Sequence, residues 1–207
     1  MKDNSGAPVL GRTSLRRLGL VAVPTVVLAG ALGVMMANGA IAASFAVSGQ
    51  QFKLTADSMI GHNFVEYGGV DGHADGSKFP VADSAFKTAT ITNLCQSVVT
   101  PLPGIGDVTL IIRAGAKGNP VQASDLVIDM QQLNAGDAKF TNINIGQDAS
   151  TLQSGVPGAQ GAPGLFGEQA DLAELTGVQQ IANSTNAGTF ELHDMSMGVS
   201  LGDKSCF

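Results

Sequence analysis

From residue 43 onward the apolar positions recur mainly with a period of two, as in Phe52-Lys53-Leu54, Val108-Thr109-Leu110 and Leu126-Val127-Ile128-Asp129-Met130. The clearest case is near the end of the chain, where Met195, Met197, Val199 and Leu201 alternate with Ser196, Gly198, Ser200 and Gly202. Side chains two apart share one face of an extended segment, so this stretch predicts a half-buried strand with its apolar face turned inward. Helical spacing is scarce. Residues 168–181 could form a short helix, but Thr176-Gly177-Val178 interrupts them. A short pattern recurs in Ala89-Thr90-Ile91-Thr92-Asn93-Leu94, Ala138-Lys139-Phe140-Thr141-Asn142-Ile143 and Ala173-Glu174-Leu175-Thr176-Gly177-Val178, with starts 49 and 35 residues apart. The unequal spacing excludes a regular solenoid. A turn-tolerant Asn or Gly closing each copy suits strands that bend or bulge at a common level. The prediction is an all-β fold of about eight to ten strands, a mostly antiparallel sandwich or elongated curved sheet, with an irregular β-helix as the alternative.

Two segments break the alternation. Residues 68–79 are polar and Gly-rich, and residues 152–167 carry glycine at every third position, Gly155, Gly158, Gly161, Gly164 and Gly167. Four triplets are too few for a collagen triple helix. A mobile Gly/Pro surface loop of polyproline character is the expectation for 152–167.

The first forty-two residues are chain of another kind. Arg12, Arg16 and Arg17 precede an apolar run over residues 18–37, and Ala40-Ile41-Ala42 supplies small residues suited to signal peptidase. Residues 1–42 thus read as a signal peptide cut after Ala42 or, if uncut, as a membrane anchor through residues 18–37. The basic flank holds the N-terminus inside, so either case exports residues 43–207 as a single β-rich extracytoplasmic domain. Arg16-Arg17 matches a twin-arginine signal only loosely, because Gly19 stands where a larger apolar residue is usual.

Charge narrows the partners. The whole chain has a formal net charge of −6; without residues 1–42 it loses Lys2, Arg12, Arg16, Arg17 and Asp3, leaving 7 basic and 16 acidic groups, a net −9. Such a surface gives nucleic-acid phosphates nothing to bind and is repelled by anionic lipid headgroups. The two cysteines, Cys95 and Cys206, are an even number in an exported chain and read as one disulfide closing a loop of about 110 residues.

Candidate chemistry is thin. Gly198-Val199-Ser200-Leu201-Gly202 matches the G-x-S-x-G of serine hydrolases, but that elbow needs a following helix and a later histidine, and only five residues follow Gly202. His193, beside Asp194, is the nearest partner for Ser200. On one strand, however, the two would lie roughly 23 Å apart on opposite faces. Asp71-Gly72-His73-Ala74-Asp75-Gly76 has the opening rhythm of a calcium loop, with Asp71 and Asp75 as candidate ligands, but Ala82 stands where the bidentate Glu belongs. His62, His73 and His193 lack zinc-ligand spacing, and no cofactor motif is present.

Three stretches carry a family resemblance: Ala43-Ser44-Phe45-Ala46-Val47-Ser48-Gly49-Gln50-Gln51-Phe52-Lys53, Asn93-Leu94-Cys95-Gln96-Ser97-Val98-Val99-Thr100-Pro101, and the near-terminal Cys206. Together with the export segment they resemble an uncharacterised family of exported proteins from Streptomyces and related actinomycetes, some of whose automatic records bear the label cholesterol esterase. The resemblance covers nearly the whole chain. It implies an envelope or extracellular location, a Cys95–Cys206 pairing and a role not yet known. The expected function is that of an exported, non-enzymatic protein that binds an apolar small molecule or lipid, or assembles with itself at the cell surface. Contact with the membrane would run through the N-terminal segment if it is uncleaved. A lipid-ester hydrolase is the alternative.

Overall fold

The computed structural model describes residues 50–73, 76–116 and 118–207. The expected export segment, residues 1–42, lies outside them. Among the described residues ten strands follow one another: β1 (Phe52–Gly72), β2 (Lys78–Thr92), β3 (Leu94–Leu102), β4 (Gly106–Ala114), β5 (Val121–Asn134), β6 (Asp137–Thr141), β7 (Asn144–Asp148), β8 (Phe166–Asn186), β9 (Thr189–Glu191) and β10 (Ser196–Leu201). A 3-10 turn at Ala149–Thr151 follows β7 and is capped by Asp148, whose carboxylate accepts from the Ser150 amide. Every pairing is antiparallel, which excludes the parallel β-helix alternative. The segment 168–181, a possible helix by its spacing, belongs to β8.

The sheet closes on itself. β1 pairs with β2 along one edge and with β8 along the other; β2 pairs with β5, and β5 returns to β8. Four long strands thus form a ring with no free edge among them, a curved sheet carried to a closed barrel. Its interior is filled by Leu54, Met59, Phe64, Phe86, Ile91, Leu126, Leu175, Val178 and their neighbours. Phe64 touches Phe86 and Phe140 with ring centroids 5.3 and 5.4 Å apart.

The long strands do not keep one alternation from end to end. The buried positions of β1 run Leu54 and Ala56, then Met59, then Phe64; those of β8 run Ala182 and Val178, then Leu175 and Ala173, then Ala170. Inward residues therefore change from even to odd and back to even numbers. The changes occur at two levels. Asn93 (φ 52°) and Gly177 (φ 58°) fall beside Asp57 at the first; Asn63 (φ 53°) and Asp125 (φ 48°) fall beside Lys87 and Asp171 at the second. One left-handed residue turns the following side chains to the other face without changing the register. Asn, Asp and Gly adopt that backbone most readily. The bends expected at Asn93, Asn142 and Gly177 are present, since all three have positive φ, Asn142 at 55°, but they do not share one level: Asn93 and Gly177 lie at the first and Asn142, opposite Asp171, at the second. Outward side chains clasp at the kinks: Asn93 donates to Asp57, Asn142 Nδ2 donates to Asp171 Oδ2 at 2.7 Å, and Lys87 Nζ meets Asp125 Oδ1 at 2.5 Å.

A second, smaller cluster lies outside the ring. Val65, Ala85 and Val127 sit side by side on β1, β2 and β5 and are covered by Leu152, Ala159 and Val156 from the segment between the 3-10 turn and β8. The glycines of that segment do not follow the expected polyproline path. Gly155, Gly158 and Gly164 have φ of 81°, 88° and 81°, which makes turns, and a Cβ on Gly161 would lie 2.6 Å from the Cβ of Ala149. The triplet spacing serves turns and close packing.

Candidate functional site

Beyond the ring, β3, β4 and β10 form a three-stranded wing. β3 continues the line of β2 past the kink at Asn93, hairpins to β4, and β4 takes β10 as its outer neighbour. The two faces differ.

One face is covered by the chain's own last residues. Thr109 is fully buried; its hydroxyl donates to the Gly202 carbonyl at 2.7 Å and accepts from the Lys204 amide at 3.0 Å. The Cys206 amide donates to Ser97 Oγ at 2.9 Å, and the Cys95–Cys206 disulfide fixes the tail there, with Cα atoms 6.0 Å apart. Lys53 Nζ closes the end by donating to the Phe207 carbonyl at 2.7 Å. The pairing expected of the two cysteines is thus present.

The other face is open. Register places Gln96, Ile112 and Met197 in one rung, Val98, Leu110 and Val199 in the next, and Thr100, Val108 and Leu201 in the third. Met197, Val199 and Leu201 are 63 %, 69 % and 70 % exposed, and Met195, just before β10, is 51 % exposed. Leu102 and Ile105 at the hairpin are exposed as well. The expected strand therefore exists, but its apolar side does not face a core, which corrects the half-buried reading. The segment after β10, residues 202–207, is drawn to the opposite face by Thr109, Ser97 and Cys95. Among the described residues, none packs over Met195, Met197 and Val199, which stay exposed.

The hydrolase motif lies on this strand. Ser200 is opposite Thr109, on the tail-covered side. His193 is in the turn before β10, where its carbonyl accepts from the Gly115 amide at 2.8 Å and its ring Nε2 lies 3.6 Å from Glu191 Oε2. Thr109 and Gly115 are six residues apart along β4 and its extension, roughly 20 Å, so serine and histidine are not brought together. His73 stacks on Phe79 with ring centroids 4.3 Å apart.

A cluster that the sequence reading missed lies near the other end of the ring. Tyr67, Asp83, Asp129 and Ser184 are adjacent in register on β1, β2, β5 and β8, with Asp71 close by. Burial, then hydrogen bonding and repulsion from Asp129, push Asp83 up to about 8. Asp83 therefore stays protonated at neutral pH and donates to Asp129, which also accepts from Ser184. Asp71 is raised too, by burial and then Asp129, and burial with three neighbouring carboxylates raises Tyr67. On the inner side Glu66 accepts from Ser84 Oγ at 2.7 Å and faces Glu168, which is raised by burial and by Glu66. Asp71, a candidate calcium ligand, thus belongs to a proton-sharing cluster; Asp75 lies outside the described residues. No group of three or more His, Cys, Asp or Glu side chains among the described residues is placed to hold a metal ion. An open depression of about 340 Å³ lined by Pro80, Val81, Ala82, Met130 and Gln131 lies nearby. Its lining mixes apolar side chains with backbone and Gln131 polar groups and carries no ionisable group.

A disulfide of this kind persists in oxidising compartments. Among the described residues no helix is long and apolar enough to cross a membrane. Residues 48–207 match DUF6230, a family of unknown function. Neither the curated proteins nor the solved structures contain a match.

Proposed function

We propose, from the premise that the chain belongs to the DUF6230 family of unknown function, that it is an exported, non-enzymatic protein of the cell envelope that works as a docking module. The docking surface is the open face of the wing. The observation that carries this reading is three rungs in which seven of nine side chains are apolar, with Met197, Val199 and Leu201 more than 60 % exposed, on a sheet whose other face is fixed by its own tail. Monomeric proteins seldom leave an apolar patch of this kind uncovered without using it. Three features support export: the basic-then-apolar start of the chain, the Cys95–Cys206 bond and the resemblance to exported actinomycete proteins. The packed ring favours a surface over an internal lipid pocket as the place where an apolar partner binds.

Fractionation of a native culture tests the reading. Wild-type protein is expected in the envelope fraction and the Val199→Glu variant in the medium, both with an intact mass starting at Ala43 and reduced by about two mass units for the disulfide. Equal partition of the two forms would remove the docking role. The lipid-ester hydrolase suggested by the resemblance would have to use Ser200, and Ser200→Ala is expected to leave any ester hydrolysis by the purified protein unchanged.

A further inference from the structure

We propose that the occupant of the open face is a second copy of this chain, the two wings packing face to face about a two-fold axis; this rests on reading the wing as the docking surface.

The open face is the barrel's core face continued into solvent. Leu94 and Ala114 form the last rung inside the core, and the next rungs along the same face are Gln96–Ile112–Met197, Val98–Leu110–Val199 and Thr100–Val108–Leu201. Within the ring this face is covered by the opposite wall. In the wing the strands run on while the wall stops, so the surface has the composition of half a core. A second sheet about 10 Å away is the ordinary cover for such a face, with side chains of the two sheets interdigitating. Met195 and Met197 at its margin can adjust to a partner surface.

Area and charge select the partner. The open side chains of the three rungs, with Leu102 and Met195, amount to roughly 500–600 Å² per copy, so a symmetric pair buries about 1,000–1,200 Å², the lower bound for a specific interface. None of the nine rung residues is charged. An anionic lipid surface is a poorer match, because the exported chain carries net −9. Pairing through the free edge of β10 would not cover the face. Antiparallel pairing that keeps apolar side chains in register puts both apolar faces on one side and doubles the exposed area.

The test is sedimentation velocity on the full exported protein purified from culture, across a concentration series, for wild type, Val199→Glu, Leu201→Ser and Ile145→Glu. Ile145 is similarly exposed but lies on β7, away from the wing. Wild type and Ile145→Glu are expected to dimerise at about 10 μM, and Val199→Glu to weaken dimerisation by roughly 100-fold with an unchanged circular dichroism spectrum. Leu201→Ser, a milder change, is expected to weaken it by about 10-fold and stands in if the glutamate variant does not fold. A monomeric wild type, or a dimer indifferent to both wing substitutions, overturns the proposal. Co-sedimentation with phosphatidylcholine vesicles separates the two levels of failure. A monomer that binds vesicles and loses them with Val199→Glu overturns the second copy and keeps the docking surface. A monomer that ignores vesicles and shows unchanged envelope retention on substitution overturns both.

Discussion

An aspartate in water gives up its proton near pH 4, but Asp83 lies over the backbone of Gly69 with Asp129 beside it, and the folded protein holds its proton to about 8. Between these values the folded state binds a proton that the unfolded chain has released. Stability from this site is therefore full below about pH 4 and falls as pH rises to about 8. Asp83→Asn keeps the hydrogen bond to Asp129 and removes the titration. It is expected to match wild type at pH 4 and to exceed it at pH 8 by about 2 kcal/mol, after allowance for the solvent that still reaches the group. Urea unfolding of both proteins at pH 4, 6 and 8 checks this, and parallel pH profiles would refute it. Elsewhere the decisive residue is a missing side chain. The Phe86 ring lies directly over Gly61, where a Cβ would come within 2.2 Å of it. Gly61→Ala is expected to destabilise by about 1–3 kcal/mol through forced repacking of Phe86 against Phe64.

The wing, at the scale of elements, is held by its tail more than by its place in the sheet, since only Lys53, Leu54 and Thr55 of β1 pair with β3. Replacing both Cys95 and Cys206 with Ser is expected to cost about 2–5 kcal/mol and to open residues 203–207 to carboxypeptidase. Thr109→Val leaves the disulfide in place but removes the hydroxyl that both accepts and donates beneath the tail. It is expected to cost about 1–3 kcal/mol by thermal unfolding, with the tail still protected. A larger loss for the threonine than for the disulfide would mean that the hydrogen bonds position the tail and the covalent bond merely follows.

At the scale of the whole molecule, how much was legible depends on which signals are local. Alternation at Leu126–Met130 and Met195–Leu201 gave strands, the even cysteine count gave the disulfide, and the Asn or Gly after each short repeat gave the bends at Asn93, Asn142 and Gly177. Closure of the ring was hidden, because β1 and β8 change their inward face along their length and so weaken the period-two signal in the longest strands. Their pairing joins residues a hundred or more positions apart, which no local pattern records. The open face of β10 was misread for a related reason: alternation says that a strand has an apolar side and is silent about whether anything covers it. The Tyr67, Asp83 and Asp129 cluster had no sequence signal at all, since each member is an isolated polar residue until register aligns the strands.

The ring also imposes an order in time. β1 is the first of its strands to be synthesised, yet its second edge has no partner until β8, residues 166–186, has been made. The wing waits longer still, because Cys206, which secures its tail, follows β8 and β10 in the chain. Such a chain has no folded intermediate resembling its first half and must stay extended or be held until almost all of it has emerged. For the export proposed above this delay is useful: a threaded chain cannot jam on a ring that only β8, residues 166–186, can close.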